Sequence, residues 1–233
     1  MTTIRGFKFG SSLLLSVVLI ATGCRLSQLK GVTESGSSRP TSAFSPSNNP
    51  RKDLGDALEK LNSAFPYRLT ETTSASAPGQ PDVQYGVRVV EFASADRHHA
   101  KWKSGPLGDT EVITIGDKEY TYINGKWIEG GAKSLSQREQ AGRRFREKMA
   151  SAIKDVQYLG AETVNGVSCY AYSYTMEMDV SGQKWSGTGK AWVGASDGLP
   201  HQLDSEMTVS SYHQKSHITY QYDVDFKIEK PAM

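Results

Sequence analysis

Toward the end of the chain every second residue is apolar: Ile218, Tyr220, Tyr222, Val224, Phe226 and Ile228. Between them stand Thr219, Gln221, Asp223, Asp225 and Lys227, all suited to water. This is the period of a strand with one buried and one wet face. The same alternation follows Asn165-Gly166, with Tyr170, Tyr172, Tyr174, Met176, Met178 and Val180 on one side. Ser181-Gly182 then turns the chain into a strand over 184–193. The turn Ser196-Asp197-Gly198-Leu199-Pro200 leads to Leu203, Ser205, Met207 and Val209. Connections this short join antiparallel neighbours, so 164–228 reads as four long antiparallel strands.

Upstream the period changes once. Leu54, Ala57, Leu58 and Leu61 recur at helical spacing, with Asp53 at the N-cap position and Pro66 as the stop. Strands are predicted over 67–72, 83–93, 97–104, 111–115 and 119–123. Asn124-Gly125 then forms a hairpin that returns through 126–128. A second helix is predicted over 136–156, with Phe145, Met149, Ala152, Ile153 and Val156 as its apolar stripe. The sum is an α+β domain with about ten strands around one core.

The run from Gly187 to Pro200 reads Gly-Thr-Gly-Lys-Ala-Trp-Val-Gly-Ala-Ser-Asp-Gly-Leu-Pro, and Tyr220 to Pro231 reads Tyr-Gln-Tyr-Asp-Val-Asp-Phe-Lys-Ile-Glu-Lys-Pro. Together they resemble the LolA/LolB-like superfamily, which includes the LppX/LprG-type lipoproteins. The resemblance spans 54–231. It implies a strongly curved antiparallel sheet, an open half-barrel closed by two or three helices, around an apolar cavity for acyl chains. It carries over no binding residue.

Residues 1–23 set the cellular context. Arg5 and Lys8 precede an apolar run from Leu13 to Ala21, too short to span a bilayer and typical of an export signal. Ile20-Ala21-Thr22-Gly23-Cys24 resembles a bacterial lipobox, which implies cleavage before Cys24 and acylation of that cysteine. Residues 24–52 are rich in Ser, Pro, Asn and Gly and read as a disordered tether, leaving 53–231 as the domain. Arg25 is not the aspartate that marks inner-membrane retention in enteric-type bacteria. The outer membrane is therefore the expected address in a host that has one, with the domain periplasmic or otherwise extracytoplasmic.

The whole chain carries 27 Lys+Arg and 25 Asp+Glu; loss of Arg5 and Lys8 leaves 25 of each. A formally neutral domain is a poor nucleic-acid partner. Cys169, the one cysteine left once Cys24 is acylated, reads as a small buried hydrophobe under a helix.

Enzymatic motifs are absent: no phosphate loop, dinucleotide glycine fingerprint, nucleophile elbow or His-Glu-x-x-His occurs. His98 and His99 point to opposite faces of a strand, and His213 and His217 stand about 13 Å apart along one. With His201 they read as ordinary exposed histidines, and no metal or organic cofactor is implied. What the pattern offers instead is an adaptable apolar face. Tyr172, Tyr174, Met176, Met178, Met207, Tyr220, Tyr222 and Phe226 are the candidate lining, with Phe145 and Met149 closing from the second helix. A filled core remains the other reading of these residues. Leu107, alone on the turn 104–109, is the candidate membrane contact. Gly187 and Gly189 are read as permitting strand bending or a close helix.

The expected function is non-enzymatic: a membrane-anchored lipoprotein that binds or transfers a lipid or acylated molecule. The alternative is an envelope protein-interaction or stress-sensing module on the same fold, as in sigma-factor regulators with LolA-like domains. Replacing Cys24 by Ser is expected to abolish incorporation of labelled palmitate in a bacterial host; equal labelling of both proteins would refute acylation at this residue.

Overall fold

Asn124-Gly125 and Asn165-Gly166 both take left-handed backbone at both positions, with φ of 52° and 78° in the first and 51° and 81° in the second. That geometry matches the twist of flanking strands and makes each pair a two-residue hairpin turn. The structure, a computed structural model, describes residues 43–104, 108–131, 151–180, 183–209 and 211–233. Six strands form a first meander: β1 (Tyr67–Ser76), β2 (Val83–Ser94), β3 (Arg97–Ser104), β4 (Gly108–Ile115), β5 (Lys118–Ile123) and β6 (Lys126–Gly131). Five form a second: β7 (Ile153–Val164), β8 (Val167–Val180), β9 (Gln183–Gly194), β10 (Pro200–Val209) and β11 (Tyr212–Gln221). All pairings are antiparallel, and β1 pairs with β11. The result is one eleven-stranded sheet in the order β6-β5-β4-β3-β2-β1-β11-β10-β9-β8-β7. β6 and β7 lie at opposite edges, so the curved sheet is an open half-barrel, as expected from the resemblance.

The α-helix α1 (Pro50–Lys60) packs Leu54 and Ala57 into the inner face, and Leu61 follows in a short 3-10 turn. Its cap is Asn49, whose side chain accepts from the Lys52 amide at 3.1 Å, with Pro50 in the first position. Asp53, expected at the cap, sits one turn inside and takes the amide and hydroxyl of Ser47 at 2.8 and 2.6 Å. Residues upstream of Asp53 thus pack onto the domain. The Phe44 amide also donates to the Ala195 carbonyl at 2.8 Å.

Further differences from the sequence pattern lie in β7 and at the end of β11. The strand β7 begins at Ile153, where a helix to Val156 was predicted. Only 151–152 are helical among the described residues there, and 136–150 lie outside them. Val156, Tyr158 and Gly160 belong to a strand that bulges twice, after Lys154 and after Tyr158, which scrambles its alternation. At the other end β11 stops at Gln221, not Ile228. Asp223 turns left-handed (φ 48°), and Phe226 and Ile228 leave the sheet line to cover Ile113 and Tyr120 near the far edge.

The inner face holds the main core. Tyr67, Leu69, Val90, Phe92, Tyr172, Met176, Ala191, Val193, Leu203, Met207, Ile218 and Tyr220 form one buried cluster with α1. Gly187 and Gly189 of β9 allow strand and ring contacts, not a helix. A Cβ on Gly189 would lie 2.2 Å from the Tyr174 ring, which crosses that position from the opposite residue of β8. On Gly187 it would lie 2.2 Å from the Glu206 carbonyl oxygen of β10. Backbone yields less than a ring tip, so Gly187→Ala is expected to lower stability in a urea titration by about 1–3 kcal/mol and by more than Gly189→Ala. An equal or reversed order would refute this assignment.

Candidate functional site

Six of the predicted lining residues meet on the inner face. Tyr172, Tyr174, Met176, Met207, Tyr220 and Tyr222 all belong to the main buried cluster, and Met178 packs against its margin. Phe226 does not join them; it lies in the separate cluster around Ile228. Phe145, Met149, Leu107 and Cys24 lie outside the described residues.

The aromatic rings are stacked in a row along the seam of the two meanders. Tyr67 stacks on Phe92 at 4.7 Å between centroids and meets Tyr220 and Tyr222 at 6.4 and 6.2 Å. Tyr220 and Tyr222 lie nearly parallel, 8° apart in plane. Tyr222 stays on the core because its hydroxyl donates to the Pro200 carbonyl at 2.5 Å, although β11 has already ended. At the helix end the Tyr172 hydroxyl reaches the Asp53 carboxylate at 3.5 Å. Burial holds the phenols of Tyr67, Tyr172 and Tyr220 well above their ordinary range, and that of Tyr174 at about 12. The face therefore stays uncharged at these rings at any physiological pH.

Two charged residues share this face, and sequence reading passed over them. Glu71 of β1 and Arg88 of β2 stand directly opposite one another, 2% and 5% exposed, with Arg88 Nη2 2.8 Å from Glu71 Oε2. The Ser216 hydroxyl of β11 donates to the other Glu71 oxygen at 2.8 Å. The signal was present: Glu71 has the parity of Tyr67 and Leu69, and Arg88 that of Val90 and Phe92.

The outer face is polar. His99 is held between Glu111, 2.5 Å from Nε2, and Glu91, 3.7 Å from Nδ1. Arg68 contacts the same Glu91 at 2.6 Å. Arg68, Glu91 and His99 border a shallow hollow of about 340 Å³. A second, of about 580 Å³, is edged by Thr72, Thr188, Lys190, Asp204 and Lys215. His99 is therefore not an exposed histidine, and neither is His201, which pairs with Asp197 at 3.1 Å and abuts the Tyr222 ring. His213 and His217 are exposed as expected.

Cys169 is fully buried, packed with Ala171 and Trp192 on the face opposite the tyrosine row. A strand tryptophan covers it, not a helix. The Trp192 indole donates to Glu162 at 2.7 Å, and Lys190 pairs with the same carboxylate at 2.8 Å. Burial, with the Asp197 charge adding to it, pushes the thiol up to about 11.

No family model matches this sequence, and no curated protein does. Solved structures do match. The lipoprotein LppX of Mycobacterium tuberculosis aligns with a TM-score of 0.52 at 11% identity, over 77% of this chain and 98% of that one. LprF from Mycobacterium bovis gives 0.49 at 13% identity, over 82% and 100%. A LolA superfamily protein from Nitrosomonas europaea gives 0.32 at 13%, over 79% and 94%. The chain has a LppX-like fold, and the likeness carries no site residue. Among the described residues no helix is long and apolar enough to cross a membrane.

The buried acids give the pH dependence its sign. Folded, Cys169 and the four tyrosines keep their protons to higher pH than unfolded, so the folded state binds more protons and stability falls as pH rises. It is expected to be level with respect to these groups below pH 9, the unfolded value of Cys169, and to decline through about 11 and 12. Urea midpoints at pH 8, 10 and 11 test this; a constant midpoint would contradict it. Over the same comparison Cys169 is expected to resist iodoacetamide at pH 8 until the protein is unfolded.

Proposed function

We propose that this chain is a lipid-anchored extracytoplasmic lipoprotein that holds the acyl part of a lipid or acylated molecule against the inner face of its half-barrel. The observation that carries the reading is the buried apolar cluster of Tyr174, Met176, Met207, Tyr220 and Tyr222 on the inner face of a sheet whose edge strands do not close on one another. Aromatic and Met side chains offer large apolar area and, for Met, adaptable shape. Each acyl methylene removed from water stabilises such a complex by about 0.8 kcal/mol. A chain of a dozen or more methylenes then needs no covalent chemistry to be held. The LppX-like fold supports the same reading.

One observation favours a second reading, a protein-interaction module. The strand β7, at the edge of the sheet among the described residues, exposes Tyr158 and Leu159, 41% and 49% accessible.

The test uses the chain from Arg25 to Met233, which contains every described strand. Saturable uptake of a fluorescent fatty acid, with acyl lipid co-purifying in native mass spectrometry, is the expected result. Met176→Glu is expected to reduce uptake at least about tenfold with far-UV circular dichroism retained. A lipid-free protein that takes up no probe would refute the acyl-binding reading.

A further inference from the structure

Near the β6 edge the outer face of the sheet is apolar, and the chain's own C-terminal segment covers it. Ile113 of β4 is the cross-strand partner of His99 and so lies on the outer face, and Tyr120 of β5 faces Ile113 in the next pairing. Both are buried, packed with Ile228 and Phe226 in a cluster separate from the main core. Residues 224–233 belong to no strand, so side chains hold them in place. Ile228 is inserted to 3% exposure. Arg97 Nη1 donates to the Ile228 carbonyl at 3.1 Å. Lys230 lies 3.3 Å from Glu129 Oε2 and over the Tyr120 ring at 5.5 Å.

The segment has a defined hinge. Tyr222 is pinned to the core through its hydroxyl on the Pro200 carbonyl, and Asp223 takes a left-handed φ of 48°, which costs a residue that carries a Cβ. A short stretch beyond such a hinge, outside the hydrogen-bonded ladder, opens at less cost than the strands beneath it.

The occupant shows what this surface accepts. It is an extended peptide with apolar residues at two positions one apart, a carbonyl turned to Arg97, and a lysine two residues further on. Glu129 Oε1 is already paired with Lys118 at 2.7 Å, which leaves Oε2 to receive that lysine. Tyr122 and Trp127, the next pair along the same face, pack 5.3 Å apart and stay half-exposed, so apolar surface continues along β5 and β6. We propose that the outer face of β4–β6 is a docking groove for an extended peptide of another protein with the pattern apolar-x-apolar-x-Lys, and that residues 224–233 are its built-in competitor. The groove is independent of acyl binding on the inner face.

The competition has a magnitude. A tethered occupant present at an effective concentration of about 1 mM, with its own affinity near ~0.1 mM, leaves about a tenth of the grooves open. The test uses the full Arg25–Met233 chain and a labelled peptide, Val224–Met233, followed by fluorescence anisotropy. Phe226→Ser with Ile228→Ser in the chain releases the segment and is expected to tighten peptide binding about tenfold over the unaltered chain. In the released chain Glu129→Lys is expected to weaken the peptide about threefold, and a peptide with Lys230→Glu to recover the loss. No binding to the released chain, equal binding to released and unaltered chains, or indifference to the charge exchange would overturn the groove. Loss of far-UV circular dichroism in the released chain would overturn it too, by making the segment an integral part of the fold. Amide exchange on the unaltered chain gives a second measurement. Residues 226–230 are expected to exchange at least about tenfold faster than 216–220 of β11, and equal protection would contradict a segment that opens by itself.

Discussion

The pairing of β1 with β11 joins what would otherwise be two separate sheets. Each meander is built from neighbours in sequence and could zip up locally, but neither buries the inner face alone. Tyr67, Leu69, Val90 and Phe92 come from the first, and Tyr172, Met176, Met207 and Tyr220 from the second. Nine residue pairs, from Arg68–Gln221 to Ser76–His213, hold the halves together. Their partners are far apart in the chain; Ser216 meets Glu71 across 145 positions. Loop closure over such a distance is costly in entropy, so this seam is the slow, non-local part of the fold and the part that creates the interior.

Register at the seam is correspondingly strict. A slip by one residue would turn every side chain of a strand to the other face. Glu71 would lose Arg88 and Ser216, and Tyr220 would leave the ring stack on Tyr67. A buried ion pair contributes little net stability, but separating it leaves an uncompensated buried charge. Glu71 and Arg88 therefore penalise wrong registers more than they reward the right one. The same two residues give an otherwise apolar wall a fixed polar point.

The helix α1 does for the second meander what the seam does for the two halves. Leu54, Ala57 and Leu61 sit under the inner face, and Asp53 links the segment Ser47–Asn49 to Tyr172 of β8. The segment before the helix is short and polar, and composition alone places it in the tether. Tertiary contacts of Phe44 and Ser47 order it.

Much of this was legible in the chain. Alternation located β8, β10 and the last residues of β11, from Ile218 on, and the Asn-Gly pairs fixed two hairpins because those residues tolerate left-handed backbone. The Gly187–Pro200 run and the Tyr220–Pro231 ending pointed to the half-barrel through resemblance. Strand β7 was not legible, because two bulges break its period and its first residues continue a helical stripe. The departure of Phe226 and Ile228 from the sheet was hidden for the opposite reason: their period is perfect, but Asp223 turns the backbone. His99 and His201 read as exposed until Glu91, Glu111 and Asp197 were brought beside them. By itself the sequence determined which residues face inward, since period and burial are local properties. Only the tertiary structure decided which inward residues meet: the pairing of β1 with β11, the facing of Glu71 by Arg88, and the Tyr174 ring in the space left by Gly189. Those depend on the register of strands far apart in the chain, which no local pattern encodes.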